Sequence, residues 1–305
     1  MPGLPRVKPA ERRLSLPVGT EGALSVLELG RAEGPVDLVF LHANGFNAST
    51  YRPLLAPLAE ARRIWLVDQR GHGLTDLPAD PAGRRGWQDL RGDLIALIDQ
   101  TEGDPVLAGH SMGGTVSLLA AAHRPERVRS LLLLDPVIWL PLTTLAFNLP
   151  GVGRMAERIP LVRNALKRRA DFPDRETARR AYRGRGAFAG WPDAVLDAWL
   201  ETGLKPADEG LTLSCRPEWE ASNYAAQGHN PWGALTRFRG PIHILRARTR
   251  STCHAPDRPP GLSHVRSERL AGATHFLPML NPDAVRAALL QQLDADGVAS
   301  PGSAR

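Results

Sequence analysis

Five short runs of the chain are almost wholly apolar, and each gives way to a polar or glycine-rich turn: "VDLVFLH" (36–42), "RRIWLVDQRGHG" (62–73), "PVLAGHS" (105–111), "VRSLLLLDP" (128–136) and "GPIHILRAR" (240–248). Continuous runs of this length, without polar alternation, predict strands buried on both faces, as in a parallel sheet. Segments of helical character lie between the first four, over 48–60, 87–101 and 112–123. The order β-α-β-α-β-α-β predicts a three-layer α/β domain with right-handed crossovers.

The rhythm breaks after Pro136. Residues 137 to about 235 contain no run that reads as a buried strand; they are rich in Arg, Ala, Trp, Gly and Pro, with helical stretches such as "RNALKRRA" and "PDAVLDAWLE". The strand pattern then returns at 240–248, "SERLAGATHF" follows, and "NPDAVRAALLQQLDA" reads as a closing amphipathic helix. The expected organisation is a core formed by 1–135 and 236–305, interrupted by a helical cap over 136–235. The ends, 1–12 and 297–305, read as disordered tails.

Composition narrows the class. With 305 residues, 43% of them hydrophobic, the chain can bury one large core. No apolar run approaches the roughly 20 residues needed to span a bilayer, and the beginning of the chain lacks the apolar stretch of a secretory signal. Cys215 and Cys253 form neither a disulfide framework nor a zinc pattern, so buried thiols in the cytoplasm are expected. The net charge of +6 is concentrated: residues 151–190 hold eleven Lys/Arg against four Asp/Glu, a surplus of 7, which leaves the rest nearly neutral. A solvated helical face is the expected role of that segment, with a membrane surface or an anionic substrate as the alternative. Interleaved aromatics and a recognisable nucleic-acid module are both missing, so no nucleic-acid partner is expected. The sequence does not speak to the oligomeric state.

In an open parallel sheet, ligands bind at the carboxyl ends of the strands, and the polar clusters of this chain fall there. Gly109-x-Ser111-x-Gly113, between a predicted strand and a predicted helix, has the form of a nucleophile elbow. Such a turn exposes the serine hydroxyl and leaves the Met112 N–H free at the start of the helix to bind an oxyanion. "LHANGFNAST" (41–50) follows another strand and supplies a second donor, assigned to the Asn44 N–H with Phe46 as the neighbouring alternative. A hydroxyl nucleophile needs a base within reach. Of the nine histidines, His42, His72 and His110 sit inside turn motifs, whereas His275 follows a strand-like segment and precedes a helix, a position that hangs it over the sheet edge near Ser111.

"LHANGF", "VDQRGHGLTD", "GHSMGG" and "GATHF", in this order and spacing, resemble the serine-dependent α/β-hydrolases over about 1–135 and 236–295. "LDPVI" and "LSCRPEWEASNY" are similar to a branch of lipase-like hydrolases. The resemblance implies a mostly parallel eight-stranded sheet, a cap inserted after the sixth strand, and a Ser–acid–His triad without metal or organic cofactor. A serine at the elbow separates the chain from relatives that use aspartate there, the epoxide hydrolases and haloalkane dehalogenases. The commonest family pattern places the acid after the seventh strand, but this chain reads "ILRARTRSTCHAPD" there, with Arg250 near the acid position. Asp135, at the end of the sixth strand, is the expected acid, and Asp257 the alternative.

The expected reaction is hydrolysis of a carboxylic ester of small or medium apolar size, through attack by Ser111 with His275 as base. Hydrolysis of C–C, thioester or amide bonds on the same triad is the alternative, and a ligand-binding homologue without turnover is a third reading, one that has no chemical need of an intact triad. Trp139, Phe147, Phe172, Trp191, Trp199, Trp219 and Trp232 are candidates for an apolar pocket in the cap, or simply its core.

Overall fold

The computed structural model describes residues 10–147 and 159–295. Eight strands form one sheet in the order β1-β2-β4-β3-β5-β6-β10-β11. They are β1 (Ala10–Pro17), β2 (Ala23–Gly30), β3 (Leu38–Leu41), β4 (Arg63–Asp68), β5 (Val106–His110), β6 (Ser130–Leu134), β10 (Ile242–Ala247) and β11 (Val265–Leu270). Strand β2 runs antiparallel to both neighbours, and every pair from β4 to β11 is parallel.

The apolar runs have a direct cause. In β3, Val39 and Leu41 face one apolar cluster, and Leu38 and Phe40 face another on the opposite side. In β6, Leu131 and Leu133 feed the first cluster, Leu132 and Leu134 the second. Side chains alternate faces along a strand, so a strand covered on both sides carries no polar position. Helices Gln88–Ile98 and Met112–Ala121 pack together over the first face through Leu90, Leu94 and Val116. Helix Pro282–Asp294 covers the other face through Val285 and Leu289.

Some sequence expectations change. Residues 10–12, read as tail, begin strand β1, while 1–9 and 296–305 lie outside the described residues. The helix expected over 48–60 is a series of short turns, Ala48–Tyr51, Arg52–Leu55 and Ala56–Leu58. Pro53 and Pro57 lack the N–H that a continuous helix would need. The closing helix is preceded by a separate turn, Leu277–Leu280.

Between β6 and β10 the chain is mostly helical, with Pro141–Phe147, Pro160–Leu166, Arg175–Tyr182, Asp193–Gly203 and Pro217–Ala225. It also holds a small antiparallel sheet of β7 (Asp171–Phe172), β8 (Leu204–Pro206) and β9 (Leu211–Leu213), in the order β7-β9-β8, which two- and three-residue strands hide from any periodicity. Helix Pro231–Arg237 packs on Met112–Ala121 and so belongs with the layers of the sheet.

The inserted segment is bolted to the carboxyl ends of the strands. Asn47 donates to the Trp199 carbonyl at 2.8 Å, Trp199 Nε1 to the Gly45 carbonyl at 3.2 Å, and Trp219 Nε1 to the Arg70 carbonyl at 2.8 Å. Its basic run is neutralised in place at several points: Arg179 meets Asp197 and Asp193, and Arg183 meets Asp193. Arg168 departs from the solvated face expected of it. It turns inward to Glu220 at 2.7 Å and lies over the rings of Tyr182 and Trp199. Phe147 closes helix Pro141–Phe147, and Arg154 and Arg158 lie outside the described residues.

Candidate active site

Ser111 stands between β5 and helix Met112–Ala121 with φ 54° and ψ −117°. Among the described residues only Ser111, Asp135 and Arg250 take a positive φ without being glycine, and all three lie at this edge of the sheet. Strain of this kind costs on the order of 1–3 kcal/mol per residue and persists where surrounding structure imposes it. The turn closes because its neighbours are small: a Cβ on Gly109 would lie 2.4 Å from the Gly113 carbonyl carbon, and one on Gly113 would lie 2.4 Å from the Leu41 carbonyl oxygen. The second approach sets the start of the helix directly against the end of β3, where the "HANGF" loop begins.

That loop is fixed one peptide at a time. The Ala43 N–H donates to Tyr51 Oη at 3.1 Å, the Gly45 N–H to His72 Nε2 at 3.1 Å, and the Phe46 N–H to the Ala43 carbonyl at 3.1 Å. Of these four successive N–H groups, only that of Asn44 has no acceptor among the described residues. The Ala43 carbonyl also accepts from His42 Nδ1 at 2.8 Å. Carbonyl and N–H of one planar peptide point in opposite directions, so clamping the Ala43 oxygen fixes the direction of the Asn44 N–H. The Phe46 N–H, the alternative donor, is already engaged. The Asn44 side chain plays a different part, donating to the Glu220 carbonyl at 2.9 Å and accepting from Asn223 at 2.9 Å.

His42 and His72 act as neutral rings. His42 Nε2 accepts the Gln69 N–H at 2.9 Å, so its proton sits on Nδ1; His72 Nε2 accepts from Gly45, so its Nδ1 proton faces the Arg70 carbonyl at 3.0 Å. Burial brings His42 down to about 4 and holds His72 well below the ordinary imidazole value. Burial also lowers His110 and His229 to about 3. An unfolded histidine titrates near 6.5. Between that value and the folded values the unfolded chain binds protons that the folded chain refuses, so stability is lost as pH falls. Each such ring contributes up to about 1.4 kcal/mol per pH unit in that window. Urea unfolding is therefore expected to give a markedly lower midpoint at pH 5 than at pH 7; equal midpoints would contradict the neutral, acceptor role of these rings.

Asp135 lies at the end of β6, beside the strand that carries Ser111, and its carboxylate is saturated. Oδ1 accepts from the Ala247 N–H at 2.9 Å and the Ser251 hydroxyl at 2.5 Å; Oδ2 accepts from the Thr252 N–H at 3.1 Å and from His275 Nδ1 at 2.6 Å. Burial pushes this carboxyl up, but the His275 ring, the Ser251 hydroxyl and the Ala247 N–H outweigh it and hold it below the usual carboxylate range. The loop after β10, where the commoner arrangement carries the acid, thus supplies donors to the acid on β6. Asp257 is elsewhere: it is 68% exposed and pairs with Arg246 and Arg269.

The structure therefore brings His275 and Asp135 into direct contact and sets Ser111 next to them in the chain path, since His110 reaches the His275 carbonyl at 2.7 Å and its ring centroid lies 4.8 Å from that of His275. With Nδ1 facing a carboxylate, the Nε2 of a neutral His275 is free to accept a proton. Ser111 is 8% exposed, and aromatic rings gather beside its neighbours: Phe46 lies 6.4 Å from the His110 ring and Phe276 5.4 Å from the His275 ring. Phe46 meets Trp191 at 5.0 Å and Phe276 at 6.3 Å, and Phe188 meets Trp191 at 4.8 Å. Trp191, one of the aromatic candidates for a pocket, joins this cluster. Phe172 packs on Tyr182, Trp199 and Trp219 fasten the inserted segment, and Trp139 and Trp232 are tied to each other. Phe46, Phe188 and Phe276 are not among the aromatic residues expected to line a pocket, because single aromatics in loops and short turns carry no periodic signal. Among the described residues no group of three or more His, Cys, Asp or Glu side chains is arranged to hold a metal ion.

This fold and this edge of the sheet define a hydrolase class. The family model of the alpha/beta hydrolase family matches residues 38–288, and the chain belongs to that family. It is 25% identical over 285 residues to 2-(acetamidomethylene)succinate hydrolase of Mesorhizobium japonicum, which covers 89% of this chain and 92% of that protein. It is 36% identical over 187 residues to lipase LipV of Mycobacterium tuberculosis, covering 57% of this chain and 65% of that protein. Among solved structures, that of E-2-(acetamidomethylene)succinate hydrolase superposes with a TM-score of 0.70 at 23% identity, over 94% of this chain and 99% of the other.

Proposed function

We propose that this protein is a serine hydrolase that cleaves a carboxylic ester of small or medium apolar size through an acyl-enzyme. The observation that carries the reading is the 2.6 Å bond between His275 Nδ1 and Asp135 at the same sheet edge as a serine held at φ 54°. Ser111 Oγ attacks the carbonyl carbon, and His275 Nε2 takes its proton and then gives it to the leaving group. Asp135 keeps the ring in the tautomer that accepts at Nε2 and stabilises the imidazolium without being protonated itself. The N–H groups of Met112 and Asn44 receive the oxyanion, each worth about 3 kcal/mol by deletion in comparable sites. Water then attacks the acyl-enzyme by the same steps in reverse, releasing the acid and restoring Ser111.

The segment between β6 and helix Pro231–Arg237 serves as a cap, and its Phe188 and Trp191, with Phe46 and Phe276 below, form the apolar wall against which the acyl group rests. The free, buried thiols of Cys215 and Cys253 support a cytoplasmic setting. Among the described residues no helix is long and apolar enough to cross a membrane. Likeness over most of the chain to an enzyme named for an amide-substituted succinate favours, as a second reading, amide cleavage on the same triad.

Nitrophenyl esters of graded acyl length, run beside an N-acyl amide series, separate the two. The ester reading expects measurable kcat/KM on short and medium acyl chains and a fall on long ones; turnover of the amides with none of the esters would overturn it.

A further inference from the structure

We propose that Tyr51 and His110 are positioning residues that tie the loop of the oxyanion donor to the loop of the catalytic histidine. This rests on the serine-hydrolase reading of the site.

The chemistry of the groups fixes every proton in the chain that they form. The His275 carbonyl can only accept, so His110 Nε2 carries the proton and donates to it at 2.7 Å. His110 Nδ1 is then the bare nitrogen of a neutral ring and accepts from the Tyr51 hydroxyl at 2.7 Å. The Tyr51 oxygen, having given its proton, accepts the Ala43 N–H at 3.1 Å. The sequence Ala43 N–H, Tyr51 O–H, His110 Nε2–H, His275 carbonyl is thus a single directional line of three hydrogen bonds, and all of its side chains are buried. Burial keeps His110 far below the ordinary imidazole value, so the ring stays neutral and the direction cannot reverse.

The line joins three parts that must hold register during acyl transfer. Ala43 precedes Asn44 in the loop of the second oxyanion donor. His110 is the last residue of β5 and the neighbour of Ser111. His275 presents its ring to Asp135. No other hydrogen bond to the His275 carbonyl occurs among the described residues, so without His110 the histidine loop keeps its ring contact to Asp135 but loses its tie to the strand of the nucleophile. Tyr51 is itself packed 4.8 Å from Phe40 of β3, which makes its hydroxyl a fixed point.

Tyr51→Phe removes one oxygen and keeps the ring packing. The expected result is a fall in kcat of about 10²-fold, the scale of a small misplacement of reacting groups, with KM nearly unchanged and the fluorophosphonate inactivation rate at Ser111 falling in step. The far-downfield proton resonance of the His275–Asp135 bond should shift in the same variant, which a purely structural role would not cause. His110→Gln, which can still donate to the His275 carbonyl, should keep a higher kcat than His110→Ala. A Tyr51→Phe protein with lowered thermal stability but wild-type kcat, inactivation rate and proton resonance would overturn the inference. Should that variant not fold, equal loss of kcat in His110→Gln and His110→Ala overturns it instead. A wild-type protein that never labels at Ser111 would instead overturn the hydrolase reading, and this inference with it.

Discussion

Asp135→Asn is expected to leave the protein folded and to lower kcat by about 10⁴-fold, the scale measured for this exchange in a Ser–His–Asp triad. The reason lies in which atoms can donate. In the wild type the carboxylate accepts from His275 Nδ1, so the ring proton is held there and Nε2 is left bare, as the proposed base must be. Oδ1 and Oδ2 also accept from Ala247, Ser251 and Thr252. An asparagine has one oxygen, and the fixed N–H of Ala247 and the Ser251 hydroxyl on the Oδ1 side keep it there. Its amide nitrogen then faces His275 and Thr252 as a donor. The ring answers by moving its proton to Nε2, where it can no longer serve as base. If Asp135 were only a turn residue before Pro136, the same change would cost about 1 kcal/mol of stability and leave kcat unchanged. Thermal midpoint and single-turnover acylation, measured on this one variant, separate the two outcomes.

Replacement of Ser111 has the larger effect. Ser111→Ala is expected to lower kcat by about 10⁶-fold, as loss of a triad nucleophile does elsewhere, with residual rate left to the oxyanion donors and binding. Its effect on stability should be slight, since Ala inherits the same unfavourable φ of 54°. Ser111→Gly should be as inactive but more stable than Ser111→Ala, because glycine takes a positive φ without steric cost. A gain of about 1 kcal/mol is the expected order for relief of such strain. Chemical denaturation of the two variants checks it: equal stability would mean that the elbow stores no strain.

What the sequence revealed follows from what each face of the chain must bury. The central strands were readable because alternate residues such as Val39 and Phe40 feed opposite apolar clusters, leaving an unbroken apolar run. Strand β1 was hidden because it is an edge strand with exposed positions at Ala10, Glu11 and Arg12. That Ser111 and Asp135 stand at the ends of neighbouring strands, with His275 on a loop beside them, was readable from the motifs and their order in the chain; their catalytic roles belong to the proposal. The donors that saturate Asp135 were not, because "RSTC" in a loop has no period and its meaning depends on a carboxylate 116 residues away in the chain. The inward turn of Arg168 was equally invisible: in the sequence it is one cation in a basic run, and only Glu220, 52 residues on, draws it under the aromatic rings. Tyr51 falls in the segment where short turns replace the expected helix, and the partner of its hydroxyl, His110, is 59 residues on.

In the proposed reaction Ser111 forms a covalent bond to the acyl group. Treatment of the native protein with a fluorophosphonate probe, followed by peptide mass spectrometry, tests it most directly. One adduct per chain is expected, on the peptide containing Ser111, with no labelling of the Ser111→Ala protein. An ester-cleaving protein that takes up no probe, or one whose adduct lies on another residue and survives Ser111→Ala, would contradict it.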